Sequence, residues 1–349
     1  MAERWVEPVG LLHGAAAFHA IRDGHALPLA GGPAAFPLAR LIEDGRDLGI
    51  HAARDIPEGW DEALRPLTRR ASPFAGLPLD RPLVMGILNT TPDSFSNGGQ
   101  HLDPRAAIAA GHAMLEAGAD ILDVGGESTR PGAPPVPPEE ETARVLPVVR
   151  ELAKAAVVSV DTRHPATMRA VLDAGAEIIN DVTALRQDAQ SLRVLAEARA
   201  PVVLMHMPVL DPRRMQDHTR YDDVVMDVAR FLRQRVETAE ALGIPRASIV
   251  VDPGLGFGKT VEQNLRLMNR LPLLLSIGCR VLVGASRKRF IGEVTRVEEP
   301  AARRAGSLAV AMAAAAAGAS ILRVHDVAET VQALRMWRAC AEGTQDEVG

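Results

Sequence analysis

Cysteine is scarce in this sequence, basic charge is not in excess, and long apolar runs are missing. The two cysteines, Cys279 and Cys340, lie far apart and form no CxxC pair. That argues against a disulfide framework and fits a reducing compartment, so a cytoplasmic location is expected. Lysine and arginine number 39 against 44 acidic residues, a net charge of −5. A generic nucleic-acid binder carries a basic excess, so no nucleic-acid partner is expected, although a small basic pocket for an anion stays open. No apolar run reaches the roughly 20 residues that span a bilayer. The fairly apolar stretch 9–21 is interrupted by His13 and His19, and the alanine-rich stretch 309–317 is too short to span. Neither a signal peptide nor a membrane partner is expected.

What is present is a chain of 349 residues, 47% of them hydrophobic, enough for one large barrel with an appendage or for two ordinary domains. Residues 1–80 are dense in Gly, Ala and Pro and show only a weak strand pattern. They read as an N-terminal extension with some packed helix, ending near Pro78 and Pro82. Its histidines, His13, His19 and His25, are about six residues apart, which suits no metal-binding pair. From residue 83 a rhythm sets in. Apolar, β-branched runs at 83–89, 121–125, 157–161, 178–181, 202–206, 249–252, 281–286 and 321–325 alternate with helical patterns such as 167–174, 221–242 and 306–317. Nearly continuous apolar runs mark parallel strands covered on both faces. Gly175 and Gly243 stand where helices should stop. Eight β-then-α units predict a (β/α)8 TIM barrel over 81–342, followed by a polar tail, 343–349.

Polar residues recur at the downstream ends of the runs: Asn89, Asp161, Asn180, His206, Asp252, Ser286 and His325. In a closed barrel those ends converge on one mouth, where active sites are built. The amide of Asn89 suits a hard cation such as Mg2+, which takes its remaining ligands from water and substrate phosphates. Equally, a lone Asn caps turns. Arg130 follows two glycines and offers a fork for phosphate or carboxylate. Asp123 and Glu127 resemble a catalytic carboxylate pair, but their places favour structural roles. Asp161, Asn180 and Asp252 supply acceptors and an amide suited to a heterocycle with ring N–H and exocyclic amine groups. The same set would serve a glycosidase acid/base pair or a metal. The neighbouring phosphate-seeking groups favour a heterocyclic diphosphate. The stretch from Pro253 to Thr260 imitates a nucleotide P-loop, yet the required first glycine is Pro253, so it reads as a glycine-rich loop close to a flat ligand. Arg323 and His325, two apart on one strand, share a face beside the Ser286-Arg287-Lys288 turn, where barrel phosphate sites usually lie.

Taken in order, NTTPDSFSNGG, GGESTRPG, VSVDT, IIND, LMHM, DPGLGFGK, GASRKRFIG and RVHDV resemble the dihydropteroate synthase family, the pterin-binding barrels of folate biosynthesis, over about residues 83–340. The resemblance implies condensation of a pterin diphosphate with 4-aminobenzoate. It implies that Asp161, Asn180, Met205, Asp252, Phe257 and Lys288 meet the pterin, and that Asn89, Arg130, Arg323 and His325 meet the diphosphate, with Mg2+ on Asn89. Phe95, Thr129, Pro131, Lys288 and Arg289 would border the aminobenzoate, while Asp93, Phe95 and Arg130 would ride on closing loops. Asp161, Asp252, Lys288, Arg323 and His325 are the expected catalytic set, in a homodimer. Arg289 departs from the pattern, because a serine often follows that lysine. A methyltetrahydrofolate-type methyltransferase and a non-catalytic pterin-binding paralogue are the alternatives.

Overall fold

The computed structural model describes residues 2–30, 32–70, 72–78, 80–90, 104–127 and 135–344. Asp93, Phe95, Thr129, Arg130 and Pro131 lie outside the described residues.

The N-terminal segment holds far more strand than its sequence suggests. β1 (Arg4–Val9), β5 (Leu38–Glu43) and β6 (Arg46–Ala52) form one antiparallel sheet with β5 in the centre. β2 (Leu12–His13), β4 (Ala34–Phe36) and β3 (Leu27–Leu29) form a second. The helices α1 (Gly14–Arg22) and α2 (Asp61–Thr68) complete the segment. These strands are too short to show a period of two over a useful window, and β1 finds its partner more than thirty residues away, Arg4 opposite Glu43. One local signal was present. Asp44 and Gly45 both take positive φ, +48° and +80°, and join β5 to β6 in a tight hairpin, as Asp-Gly pairs do.

From Leu83 the expected rhythm becomes a closed parallel barrel. Its strands are β7 (Leu83–Asn89), β8 (Ile121–Gly125), β9 (Val157–Asp161), β10 (Ile178–Asp181), β11 (Val202–Met205), β12 (Ile249–Asp252), β13 (Arg280–Val283) and β14 (Ile321–Val324), with β14 pairing back to β7. Nine helices among the described residues follow or cover them: α3 (Pro104–Glu116), α4 (Pro138–Leu152), α5 (Pro165–Asp173), α6 (Ala189–Ala198), α7 (Val224–Ala241), α8 (Val261–Asn269), α9 (Arg289–Thr295), α10 (Arg304–Ala316) and α11 (Val327–Glu342). Gly175 and Gly243 do end helices with φ of +104° and +93°. The last strands stop one to three residues short of the apolar runs, because pairing ends where the chain turns into the mouth loops.

Alternation along the strands sorts the side chains into two sets. Outward residues such as Val84, Leu122, Val158, Ile179, Leu204 and Val251 pack against the helices. Inward residues at the upstream ends, including Leu83, Met85, Ile121, Ile178, Val203, Val250, Leu282 and Ile321, form an apolar plug sealed from below by Phe74. Inward residues one step further along are polar, and these build the site.

The N-terminal segment is locked to the barrel. Trp5 is fully buried in the main core, with the Arg233 guanidinium of α7 stacked 3.1 Å from its ring centroid. The Glu7 carboxylate accepts from Arg270 Nη2 at 2.7 Å, and His13 packs edge-on against Trp337 of α11 at 5.0 Å. Trp5→Ala is expected to lower the unfolding free energy by roughly 3–5 kcal/mol, the usual cost of emptying a large buried aromatic site. Urea melts check it, and an unchanged midpoint would mean that the segment is not part of the cooperative unit.

Candidate active site

Inward alternation brings Asn89, Asp123, Asp161, Asn180, Met205, Asp252, Arg323 and His325 to the mouth from seven strands. At the centre lies a buried charge cluster. Arg323 donates through Nε to Asp123 Oδ2 at 2.6 Å and through Nη2 to Asp161 Oδ2 at 2.9 Å. Asn180 Nδ2 donates to the same Asp123 oxygen at 3.1 Å. Burial raises the Asp161 pKa to about 7; the Arg323 charge opposes the rise and the Asp123 charge adds to it. Burial also raises Asp252, against the pull of the Lys288 ammonium. Asp252 Oδ1 accepts from Gly254 N at 2.7 Å, which leaves its other oxygen beside Gly284, next to Arg323.

Asp123 has the structural role read from the sequence, holding Arg323 and Asn180, and adds one feature that reading lacked. It is completely buried beneath the mouth, and its Oδ1 has no hydrogen-bond donor among the described residues. Such an orphaned acceptor is costly unless a ligand N–H meets it. Its inward direction was legible, since it stands two residues after the inward Ile121 on β8. Glu127 does have the structural role expected of it, gripping Arg163 Nη2 at 2.9 Å.

One wall of the pocket is apolar, with Val182, Met205, Met207, Met215 and Phe257 packed together. Lys288 lies across it, its ammonium 4.6 Å from the Phe257 ring centroid and donating to Leu255 O. Burial lowers the Lys288 pKa to about 8, with Asp252 resisting the fall. His325 Nδ1 meets Ser286 Oγ at 3.0 Å, and its backbone N–H donates to the same oxygen at 3.2 Å. Asn89 Oδ1 and Asp161 Cβ flank Gly125, each 3.7 Å from where a Cβ would stand.

One expectation fails. His206 does not face the mouth with the other strand-end groups. It follows the inward Met205, so it points outward and is buried edge-on to Phe231 at 4.8 Å. The Arg289 side chain is 79% exposed and paired along its own helix with Glu293 Oε1 at 3.0 Å. Among the described residues no group of three or more His, Cys, Asp or Glu side chains is arranged to hold a metal ion.

Barrel, plug and polar mouth define an enzyme of the pterin-binding class, and the family model described as "Pterin binding enzyme" matches residues 85–325. The dihydropteroate synthase of Neisseria meningitidis serogroup C is 48% identical over 265 residues, 75% of this chain and 93% of that protein. The solved structure of the Xanthomonas albilineans dihydropteroate synthase with 4-aminobenzoic acid is 53% identical with a TM-score of 0.72, over 76% of this chain and 96% of that one. The same enzyme in complex with 7,8-dihydropteroate gives 51% and 0.69, over 76% and 95%. The chain belongs to the dihydropteroate synthase family.

The glycine-rich loop beneath Lys288 is built around Gly254, whose φ is +64° and whose Cβ would stand 2.0 Å from His206 O. Gly254→Ala is expected to cost more than about 2 kcal/mol, combining left-handed strain with overlap against backbone. A thermal melt indistinguishable from that of the parent chain would contradict this.

Proposed function

We propose that the site condenses 6-hydroxymethyl-7,8-dihydropterin diphosphate with 4-aminobenzoate, forming 7,8-dihydropteroate and diphosphate in folate biosynthesis. The observation that carries this reading is the orphaned Asp123 Oδ1 beneath a mouth with an apolar wall, on a carboxylate that also holds the Asn180 amide. A pterin presents ring N–H and amine donors along one edge and a flat face, which suits that acceptor and the Met205 and Phe257 wall. Similarity to synthases solved with 4-aminobenzoic acid and with 7,8-dihydropteroate supports the same pair of substrates here.

In this mechanism the C–O bond from the pterin methylene to the diphosphate breaks, and the diphosphate leaves with the electron pair. The 4-aminobenzoate nitrogen then forms the new C–N bond and loses a proton. Asp161 and Asp252 stabilise positive character on the pterin ring, and Lys288 holds the ring against Phe257. Arg323 and His325 bind the departing diphosphate, with Arg130 closing over it. Phe95, Thr129 and Pro131 align the aminobenzoate, with Asp93 completing the first loop. At Arg289 the role falls to the backbone. The Asn89 amide makes no hydrogen bond among the described residues, and one neutral oxygen suffices for an ion that takes its other ligands from water and diphosphate. Mg2+ held there supplies neutralisation of the diphosphate charge. The same reading makes the protein a cytoplasmic homodimer; among the described residues no helix is long and apolar enough to cross a membrane.

Two measurements test the proposal. Release of diphosphate from the pterin substrate should require 4-aminobenzoate, and Asp161→Asn should lower kcat/KM by about a hundredfold or more. Full activity in that variant would remove Asp161 from the mechanism. The second is the pH profile. Because the Lys288 pKa is lowered to about 8, its ammonium is present below that pH and lost as pH rises through it. The kcat/KM for the pterin diphosphate should therefore fall on the alkaline side with an apparent pKa near 8. Lys288→Arg should move that limb upward, since a guanidinium keeps its charge; an identical limb in both proteins would assign it to another group.

A further inference from the structure

Lys259 is a buried lysine that the proposed mechanism leaves unused, and burial holds its pKa well below the usual lysine value. It is 3% exposed and has no carboxylate in ion-pair contact among the described residues. Its ammonium meets three acceptors instead: Gly254 O at 2.9 Å, Phe257 O at 2.9 Å and His206 Nδ1 at 3.0 Å. An ammonium has three protons, so each is used. The reason lies in the loop. Gly254, Gly256 and Gly258 all take positive φ, +64°, +80° and +59°, so the chain coils tightly and its carbonyls look for side-chain donors. Every carbonyl from 254 to 258 has one. Lys288 serves Leu255, Gln216 Nε2 serves Gly256 at 3.0 Å, Tyr221 Oη serves Gly258 at 3.0 Å, and Lys259 serves the remaining two.

His206 anchors this arrangement to the barrel wall. Its ring packs against Phe231 and Tyr221, and its backbone N–H donates to Asp252 O at 2.9 Å. When the lysine is charged, Nδ1 accepts from it and Nε2 carries the ring proton. The loop held in this way carries the two groups that place Lys288: the Leu255 carbonyl, which accepts its hydrogen bond, and the Phe257 ring beneath it. Gly256 lies close below, with the Lys288 Cδ 3.1 Å from where a Cβ would stand.

We infer that Lys259, braced by His206, is a positioning residue for the pterin subsite: it holds the glycine-rich loop so that Phe257 and the Leu255 carbonyl set the place of Lys288. This rests on the reading of Asp252 and Lys288 as pterin-binding groups. Lys259 touches the loop's carbonyls, so its effect reaches the substrate through Lys288 and Phe257, with its charge also felt at Asp252.

The experiment uses the full chain with both substrates, comparing Lys259→Met, His206→Phe and Asp252→Asn with the parent. Circular dichroism monitors folding, and 15N NMR reports the His206 ring. The parent should show His206 protonated at Nε2. Lys259→Met should raise KM for the pterin diphosphate about tenfold or more, because small displacements of binding groups are strongly amplified in the reaction. KM for 4-aminobenzoate, which Lys288 also borders, should rise by a clearly smaller factor, a split that general loosening of the fold does not produce. His206→Phe keeps the ring packing but removes the acceptor, and should give a smaller rise in the same KM. A folded Lys259→Met with an unchanged pterin KM, or with both KM values raised alike, overturns the inference. Where Lys259→Met does not fold, an unchanged pterin KM in His206→Phe overturns it. Asp252→Asn separates the two levels. A parent-like pterin KM there overturns the pterin reading of the site, whereas a raised one beside an unchanged Lys259→Met overturns only the positioning role.

Discussion

Charge burial inside a closed barrel is the constraint on which this structure turns. Eight short strands share one lumen, and each sends every second side chain into it. The upstream part of that lumen is filled by Met85, Ile121, Ile178 and their neighbours and closed by Phe74, so no water reaches the next layer from below. Asp123, Asp161 and Arg323 occupy that layer, and isolated charges there would be prohibitive. They therefore bind one another, Arg323 reaching both carboxylates at 2.6 and 2.9 Å. Burial displaces Asp161 upward despite its ion pair with Arg323, and the second carboxylate, Asp123, adds to the rise.

The remaining parts of the mouth follow from that layer. Asp123 uses one oxygen for Arg323 and Asn180 and keeps the other without a donor, so the pocket floor is incomplete without a ligand that brings N–H groups. Opposite it the wall is built from methionines and Phe257, which tolerate a flat ring. Lys288 spans the two, feeling Asp252 on one side and the aromatic face on the other. A tight glycine loop makes this approach feasible, and its inward carbonyls explain why a lysine is buried at 259 without an ion-paired acid among the described residues.

The N-terminal segment obeys a different logic. Its two small antiparallel sheets have limited cores of their own, with Phe36, Leu41 and Trp60 in one cluster. Docking adds what those cores lack. Trp5 joins the barrel's main core beneath Arg233, and Glu7 is held by Arg270, so the two parts share both apolar and ionic contacts. Its attachment involves α7, α11 and the 3-10 turn Leu271–Ile277 on the outside of the barrel, away from the polar layer of the lumen.

Much of this was readable from residues alone. The eight apolar runs, the glycines at 175 and 243 and the polar groups closing each run define the barrel and most of its mouth, because strand period and helix termination are local properties of the chain. The same local signals misplaced His206, since adjacent strand residues face opposite sides and only the position of Met205 in the closed sheet decides which faces the lumen. What Asp123 holds was not legible, since its partner Arg323 stands 200 positions later. The sheets of the N-terminal segment were hidden for a related reason: their strands are two to seven residues long and their partners distant. What the sequence determined by itself was the order of elements and the inventory of chemical groups, both set by nearest neighbours along the chain. Which charges meet, which acceptor stays open and which cation is buried were decided only by tertiary closure, because those depend on distances between segments that the chain's local pattern does not encode.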